Sequence, residues 1–174
     1  MAVKKTSRYF DGKERRSQEQ RRADQAGELA AMMRLAVRKS PAVRRLIEPF
    51  GIAPTRRNAF ELLKGLPVIS RERLVQMEIE DPPYAGLGNP DAMVDRIFTS
   101  PGPVYEPHLS EAEPIWARAY RAAGFGPGDV VLNAFSYHLV AAGLTFHSGL
   151  RRVGATVVPS GASSTAVQVQ LIRD

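Results

Sequence analysis

The 174-residue sequence contains no cysteine and no long apolar run. Without cysteine it forms no disulfides, thiolate zinc sites or iron–sulfur clusters, and it has no cysteine nucleophile. No stretch approaches the roughly 20 apolar residues that span a bilayer. The basic residues at the N-terminus precede no apolar segment, so no signal peptide is expected. We therefore expect a cytoplasmic protein that makes no membrane contact.

The composition is otherwise that of a globular chain, with 44% hydrophobic and 24% charged residues. The net charge of +6 is concentrated in residues 1–45, which hold 13 Lys and Arg against five Asp and Glu. A basic segment of this kind can attract nucleic acid. Interleaved acidic residues and the lack of alternating aromatic residues favour a solvated helix face instead. Nucleic-acid binding stays open as the less favoured alternative.

Helical patterns dominate residues 1–90. Apolar residues recur at helical spacing from 18 to 39, and Ser40-Pro41 ends that pattern. Asn58 and Ser70 can act as N-caps of further helices. The predicted shorter helices cover residues 42–50, 58–64 and 70–77, and a loop rich in proline and glycine follows over 78–91. The sequence thus predicts a helical N-terminal region over residues 1–90.

Strands and helices alternate over residues 91–174. The predicted strands cover residues 95–99, 130–135 and 156–158, and the predicted helices cover 110–123, 139–151 and 164–172. The last two strands are continuous apolar runs, which is typical of buried parallel strands. This order favours an α/β fold. Because parallel sheets usually contain more strands, we expect residues 91–174 to form a partial α/β subdomain of a truncated chain.

Residue types alone leave the function open. The segment Thr99–Pro107 follows a strand and precedes a helix, where backbone N–H groups can bind phosphate. Its three prolines and the lack of lysine favour a simple tight turn. His138 and His147 could share a helix face if the helix began early. No carboxylate stands at ligand spacing beside the histidines, so no metal site is predicted.

Several segments, taken in their order along the chain, carry a family resemblance. They are Tyr9-Phe10-Asp11, Ser40-Pro41 with Arg44-Arg45, residues 66–74, residues 122–135 and residues 143–172. The most specific is AAGFGPGDVVLNAF at 122–135, which is similar to RAAGVRPGDVVHNAYGYGL. In this order they resemble the N-terminal part of the phenylacetate–coenzyme A ligases, a branch of the adenylate-forming acyl-CoA synthetases. The implied fold is a helical N-terminal segment followed by the first βαβ units of that superfamily's N-terminal domain.

The resemblance also implies an activity. Enzymes of this family use ATP and Mg²⁺ to convert an aryl or related carboxylic acid into an acyl-adenylate, and then transfer the acyl group to coenzyme A. The catalytic motifs are expected beyond Asp174, so no catalytic residue is assigned and the chain alone is expected to be inactive. Tyr137, Val140 and Gly143 are the implied acyl-pocket residues. Val140 stands where the family often has phenylalanine, which would leave room for a bulkier acid. Homodimerisation stays open because the family often pairs.

The resemblance breaks down at the phosphate loop. In the family this loop is rich in serine, threonine and glycine, ends in Gly-Lys-Pro and holds the ATP β- and γ-phosphates. The corresponding positions here include Thr99, Ser100, Gly102 and Glu106, so that glutamate replaces lysine. Such a charge inversion should weaken phosphate binding. Either the loop is rearranged in a divergent ligase, or the protein is a ligase-like binding or assembly module that no longer adenylates.

Overall fold

The computed structural model describes residues 7–109 and 114–174. The α-helices are α1 (Gln18–Lys39), α2 (Pro41–Ile47), α3 (Ala59–Gly65), α4 (Arg71–Glu80), α5 (Pro114–Ala122), α6 (Ala142–Arg152) and α7 (Thr165–Arg173). The strands are β1 (Arg96–Ser100), β2 (Val104–His108), β3 (Val130–Leu132) and β4 (Thr156–Val158). Short 3₁₀ helices cover Gly12–Arg15 and Glu48–Phe50. No helix of these described residues is long and apolar enough to cross a membrane.

The described residues group into two compact units. The helical unit comprises residues 16–94 and 100–106. The strand unit comprises residues 7–15, 95–99, 107–109 and 114–174. The domain boundary expected near residue 90 stays a prediction.

Local capping signals determine the helix ends in the helical unit. Helix α1 begins with a capping box, in which the Ser17 Oγ accepts from Gln20 N at 3.1 Å and Gln20 Oε1 accepts from Ser17 N at 2.9 Å. Ser40 ends α1 and also caps α2, because its Oγ accepts from Val43 N at 3.2 Å. The two helices therefore meet at the predicted Ser40-Pro41 break. A core of residues from α1, α2 and α3 closes the unit: Ala30, Met33, Ile47, Ala59 and Leu62.

Two predicted helices of this unit have different bounds in the structure. The one predicted over 42–50 divides into α2 and the 3₁₀ turn Glu48–Phe50, because Pro49 has no N–H to continue α-helical bonding. Helix α4 continues three residues beyond Met77 and ends before Asp81, which precedes proline. The predicted loop over 78–91 consequently begins later.

Strands β3 and β4 confirm the predicted α/β architecture. They pair in parallel, with Val130 opposite Thr156 and Leu132 opposite Val158, and α6 connects them as a βαβ unit. Helix α6 packs closely on α5 at Gly149, where an added Cβ would lie 2.6 Å from the Trp116 Cβ. The core of the unit contains residues of α5 and α6 and of the segment between α6 and β4: Ala117, Leu150, Val153 and Ala155.

A hairpin replaces the turn that we expected over Thr99–Pro107. Only residues 101–103 form the turn, and β2 follows as a second strand paired with β1. A connection of three residues permits only antiparallel pairing. The sequence did not indicate β2 because it contains Pro107, a residue tolerated in strands chiefly at sheet edges. The predicted helix start at Ser110 lies outside the described residues.

The aromatic–aspartate motif near the N-terminus anchors its segment within the strand unit. Phe10 packs against the core of that unit. The Asp11 carboxylate accepts two hydrogen bonds from Arg118 on α5, from Nε at 3.0 Å and from Nη2 at 2.6 Å. The Arg118 hydrogen bond lowers the pKa of Asp11 below its ordinary value. Phe10 and Asp11 thus anchor this segment through an apolar and an ionic contact.

The Asp11–Arg118 pair should make stability depend on pH. Because the pKa of Asp11 is lowered in the folded state, the contribution of the pair is complete above the unfolded-state pKa of about 4 and is lost as pH falls through the folded-state value. Asp11→Asn should therefore lower the urea midpoint most near neutral pH and progressively less in acid. The exposed Asp174→Asn is the control and should show no such trend. A wild-type–variant difference that is independent of pH would contradict this assignment.

Candidate functional site

Polar groups gather where the parallel strands β3 and β4 end. Open α/β sheets bind ligands at the carboxyl ends of their strands, so this is the place in the strand unit to look for a site. We define the strand-end cluster as Asn133, Tyr137, Gly143 and His147. Asn133 directly follows β3, Tyr137 lies in the connection to α6, and the other two residues belong to α6. Two of the three predicted acyl-pocket residues, Tyr137 and Gly143, belong to this cluster.

Asn133 is the centre of the strand-end cluster and is only 5% exposed. Its backbone N–H donates to Val158 O at 2.9 Å, continuing the pairing of β3 with β4 by one residue. The side-chain Nδ2 donates to Gly143 O at 2.9 Å and to Tyr137 Oη at 2.7 Å. Its Oδ1 accepts from Phe135 N at 3.3 Å. Since a carbonyl only accepts and a backbone N–H only donates, these contacts fix the orientation of the amide.

Tyr137 and His147 extend this network. Tyr137 Oη accepts from Asn133 Nδ2 at 2.7 Å and lies within hydrogen-bond distance of His147 Nδ1, at 3.2 Å. The two rings meet edge to face, with centroids 6.0 Å apart. The Tyr137 ring is therefore held in place by two partners of its hydroxyl, Asn133 and His147.

Gly143 is the point of closest approach between α6 and the connection that precedes it. Its N–H donates to Ser136 O at 3.1 Å. An added Cβ would overlap the Ser136 carbonyl oxygen and would lie 2.7 Å from its carbon. Val140, the third predicted pocket residue, lies in the same connection and is 36% exposed. Space around Gly143 is therefore filled by backbone, and Val140 retains an open side.

Asn133 and His147 were not among the residues predicted for the site. The sequence signal for Asn133 was a polar residue inside a continuous apolar run, which we assigned wholly to a strand. For His147 the sequence suggested only that it could share a helix face with His138 if the helix began early. The structure places His138 before α6, so the two histidines do not share a helix face.

The predicted phosphate-loop positions belong to two different units of the chain. Thr99 belongs to the strand unit, where its N–H donates to Leu139 O at 2.9 Å. Ser100, Gly102 and Glu106 belong to the helical unit. There the Ser100 hydroxyl accepts from Arg71 Nη2 at 2.9 Å, and Glu106 is exposed.

The loop itself offers few donors to an anion. Pro101 and Pro103 have no N–H. The N–H of Tyr105 is taken by Glu78 Oε2 at 3.0 Å, and this glutamate is 8% exposed. Val104, which lies between Pro103 and Tyr105, is buried, with 6% exposure. Of residues 101–105, two prolines therefore offer no N–H and the N–H of Tyr105 is already engaged.

Several arginines of the basic N-terminal segment are engaged within the helical unit. Arg22 lies over the Phe60 ring at 3.6 Å, and Arg34 donates to Pro54 O at 2.9 Å. Arg44 donates to the last carbonyls of α1, at Val37 and Arg38. These contacts support a structural role for the segment. Among residues 7–109 and 114–174, no group of three metal-ligating side chains comes together.

Comparison with known proteins identifies relatives along almost the whole chain, although no protein-family model matches it. The phenylacetate-coenzyme A ligase of Escherichia coli (strain K12) is 30% identical over 177 residues, covering 97% of this chain. That of Thermus thermophilus is 30% identical over 164 residues, covering 90%. The chain is homologous to the phenylacetate–coenzyme A ligases. The resemblance inferred from the motifs is thereby confirmed.

The homology covers only part of these ligases. The chain spans 40% of the length of the E. coli ligase and 36% of the Thermus ligase. Its fold matches 2-hydroxyisobutyryl-CoA ligase in complex with 2-HIB-AMP, with a TM-score of 0.81 over 99% of this chain and 38% of that one. A structure of the same ligase with 2-HIB-AMP and CoA gives a TM-score of 0.80. At 21% and 20% identity these matches establish the fold, which is that of the N-terminal domain of adenylate-forming ligases.

Proposed function

We propose that this chain is the N-terminal portion of an AMP-forming carboxylic acid–coenzyme A ligase. The observation that carries the proposal is the agreement of two comparisons over nearly every residue. Ligases named for phenylacetate match 97% of the sequence, and an acyl-CoA ligase fold matches 99% of the chain. In the whole protein, ATP would supply the adenylate and coenzyme A the thiol, with Mg²⁺ offsetting phosphate charge. The catalytic groups would come from outside this chain.

The strand-end cluster is the proposed wall of the acid-binding pocket. Its tyrosine ring is held by two hydrogen-bond partners, so it can present a fixed apolar face to an acyl group. Val140 is the proposed determinant of acid size, because it is partly exposed in the connection that carries Tyr137. Gly143 keeps this connection close to α6. The pocket residues are thus proposed to act by position rather than by proton transfer.

Substituting Val140 should change which acids are used. In the native gene product, Val140→Phe should reduce kcat/KM for bulky acids roughly tenfold relative to small ones, because the larger ring removes space from the pocket. Val68→Phe is the control, since Val68 is 97% exposed. The measurement is pyrophosphate release across a size series of acids. Equal effects of Val140→Phe on large and small acids would contradict the assignment.

The proposed activity is tested by acid-dependent pyrophosphate exchange. The protein made by its source cells is incubated with ATP, Mg²⁺ and a panel of aromatic and branched carboxylic acids. We expect at least one acid to drive exchange of label between pyrophosphate and ATP, while the isolated 174-residue chain shows none. Absence of exchange with every acid would contradict the ligase proposal.

A non-catalytic binding or assembly module is the second candidate. It is favoured by the turn itself, where Pro101 and Pro103 have no N–H and Glu78 takes the N–H of Tyr105, so that fewer donors are left for a phosphate. Such a module would bind a carboxylic acid without nucleotide. Equilibrium dialysis of the native protein against labelled acid and labelled ATP distinguishes the two, since the ligase must bind both.

A further inference from the structure

A cavity in the helical unit adjoins the end of α4. Its volume is about 420 Å³, which lies within the roughly 300–1,000 Å³ typical of small-molecule sites. Every described residue that lines it falls between positions 41 and 94, so the cavity belongs to the helical unit alone. Four prolines and an aromatic ring supply apolar surface, and one carboxylate supplies charge. These lining residues are Pro41, Pro82, Pro83, Pro90, Tyr84 and Asp81.

Contacts within the unit hold the cavity wall in place. The carbonyl oxygen of Gly86 accepts from Ala42 N at 3.1 Å and from Ser40 Oγ at 2.8 Å, so the loop after α4 is fixed to the start of α2. Gly88 lies against the tyrosine ring, because a Cβ added there would stand 3.2 Å from Tyr84 Cδ2. The wall is therefore formed before any ligand binds, as is usual for small-molecule sites.

Asp81 brings an uncompensated negative charge to this cavity. Within the described part of the chain, its carboxylate forms neither an ion pair nor a hydrogen bond. A Cβ added at Gly86 would stand 3.0 Å from Asp81 Oδ2, so the carboxylate lies close to the loop backbone. Asp81 is also the C-cap of α4, where the helix dipole places a partial negative charge, and the last turn of α4 contains no basic residue. This end of the cavity therefore favours a cation.

We propose that this cavity binds a small organic amine in its protonated form. The ammonium group pairs with the Asp81 carboxylate, and the Tyr84 ring adds the attraction of an aromatic face for a cation. The apolar body of the amine packs against the prolines. Because Asp81 is exposed and Tyr84 is half-buried, the charged end of the ligand keeps contact with water while the apolar end leaves it. This site goes beyond the proposed ligase function and does not depend on it.

The test measures the binding of benzylamine to the native gene product by isothermal titration calorimetry. Benzyl alcohol is the neutral probe of similar shape, and the wild-type protein should bind it about tenfold more weakly, the equivalent of one charge-assisted hydrogen bond. Asp81→Asn keeps the size of the side chain and should weaken benzylamine binding about tenfold, with benzyl alcohol binding unchanged. Tyr84→Ala should weaken benzylamine binding about threefold, because it removes the aromatic face. Circular dichroism establishes that each variant is folded.

Glu80→Gln is the matched control. Glu80 directly precedes Asp81, pairs with Arg73 at 3.5 Å and does not line the cavity. The variant removes the same charge from the same end of α4, so it should change the affinity for benzylamine less than about twofold. Equal weakening by Asp81→Asn and Glu80→Gln would overturn the proposal.

The wild-type protein alone also tests the amine site, so the proposal can be refuted even if a variant fails to fold. A wild-type protein that does not bind benzylamine, or that binds benzyl alcohol equally well, would contradict it. A blocked lysine peptide is the third probe. Tighter binding of that peptide than of benzylamine would overturn the assignment to a small amine, because the cavity would then take a side chain of a protein partner.

Discussion

Gly143→Ala should destabilise the protein by about 2 kcal/mol, although alanine is the better helix former. Helix propensity alone favours the variant by roughly 1 kcal/mol. Against that, the new methyl would overlap the Ser136 carbonyl oxygen and lie 3.0 Å from Phe135 O. Both neighbours are backbone atoms, so relief requires moving the connection or α6. Such a shift would also weaken the hydrogen bonds that Gly143 makes through its N–H and its carbonyl.

The measurement for Gly143→Ala is the urea midpoint followed by tryptophan fluorescence. Trp116 is the single tryptophan and stacks edge to face on Phe146 of α6, with centroids 4.5 Å apart, so it reports on the strand unit. Gly12→Ala is the control, because nothing lies within 4 Å of its added Cβ. It should change stability by less than about 0.5 kcal/mol. If Gly143→Ala leaves the urea midpoint unchanged or raises it, Gly143 is not in close contact with the backbone of Ser136 and Phe135.

Asn133→Ala should cost about 3 kcal/mol of unfolding free energy. The variant leaves the carbonyl of Gly143 without its partner, in a hydrogen bond that is buried beside Asn133, which is 5% exposed. It also removes the acceptor of the Phe135 N–H, although Phe135 is 54% exposed. Buried groups that lose their partners cost roughly 1–3 kcal/mol each. The loss should be accompanied by release of the Tyr137 ring, since its hydroxyl keeps only His147.

Tyr137→Phe is the comparison for Asn133→Ala. It removes a single contact of the amide, so it should cost about 1 kcal/mol and leave the Gly143 contact intact. Both variants are compared by urea unfolding with Trp116 as the probe. If Asn133→Ala costs no more than Tyr137→Phe, the amide does not organise the strand-end cluster.

Local features of this fold could be predicted from the sequence because their causes are local. Ser70 was predicted as an N-cap, and its hydroxyl accepts from Arg73 N. The break at Ser40-Pro41 was predicted from the proline, which disfavours a helical conformation of the residue before it. The apolar runs of β3 and β4 likewise indicated buried parallel strands, and the structure confirms their parallel pairing. Strand β2 could not be predicted, because it contains Pro107, which disfavours a strand. It forms through its pairing with β1, which the local sequence does not show.

Some contacts of the structure join residues distant in sequence. Asp11 meets Arg118 across 107 positions, and Arg71 reaches Ser100 across 29. No periodicity or spacing encodes such a meeting. The motif resemblance pointed correctly to the family, but it could not show that a residue of α4 lies beside the altered loop. Asn133 was missed because the apolar run around it was assigned wholly to a strand, whereas the structure ends β3 at Leu132.

The central claim is that this chain works within a longer ligase, and the intact mass of the native gene product tests it most directly. The relatives are matched over 40% and 36% of their lengths, so we expect a mass more than twice 19.1 kDa in the source cells. Immunoprecipitation with an antibody raised against this chain, followed by intact-protein mass spectrometry, provides the value. A native product of 19.1 kDa would contradict the ligase account and leave the binding module as the function to test.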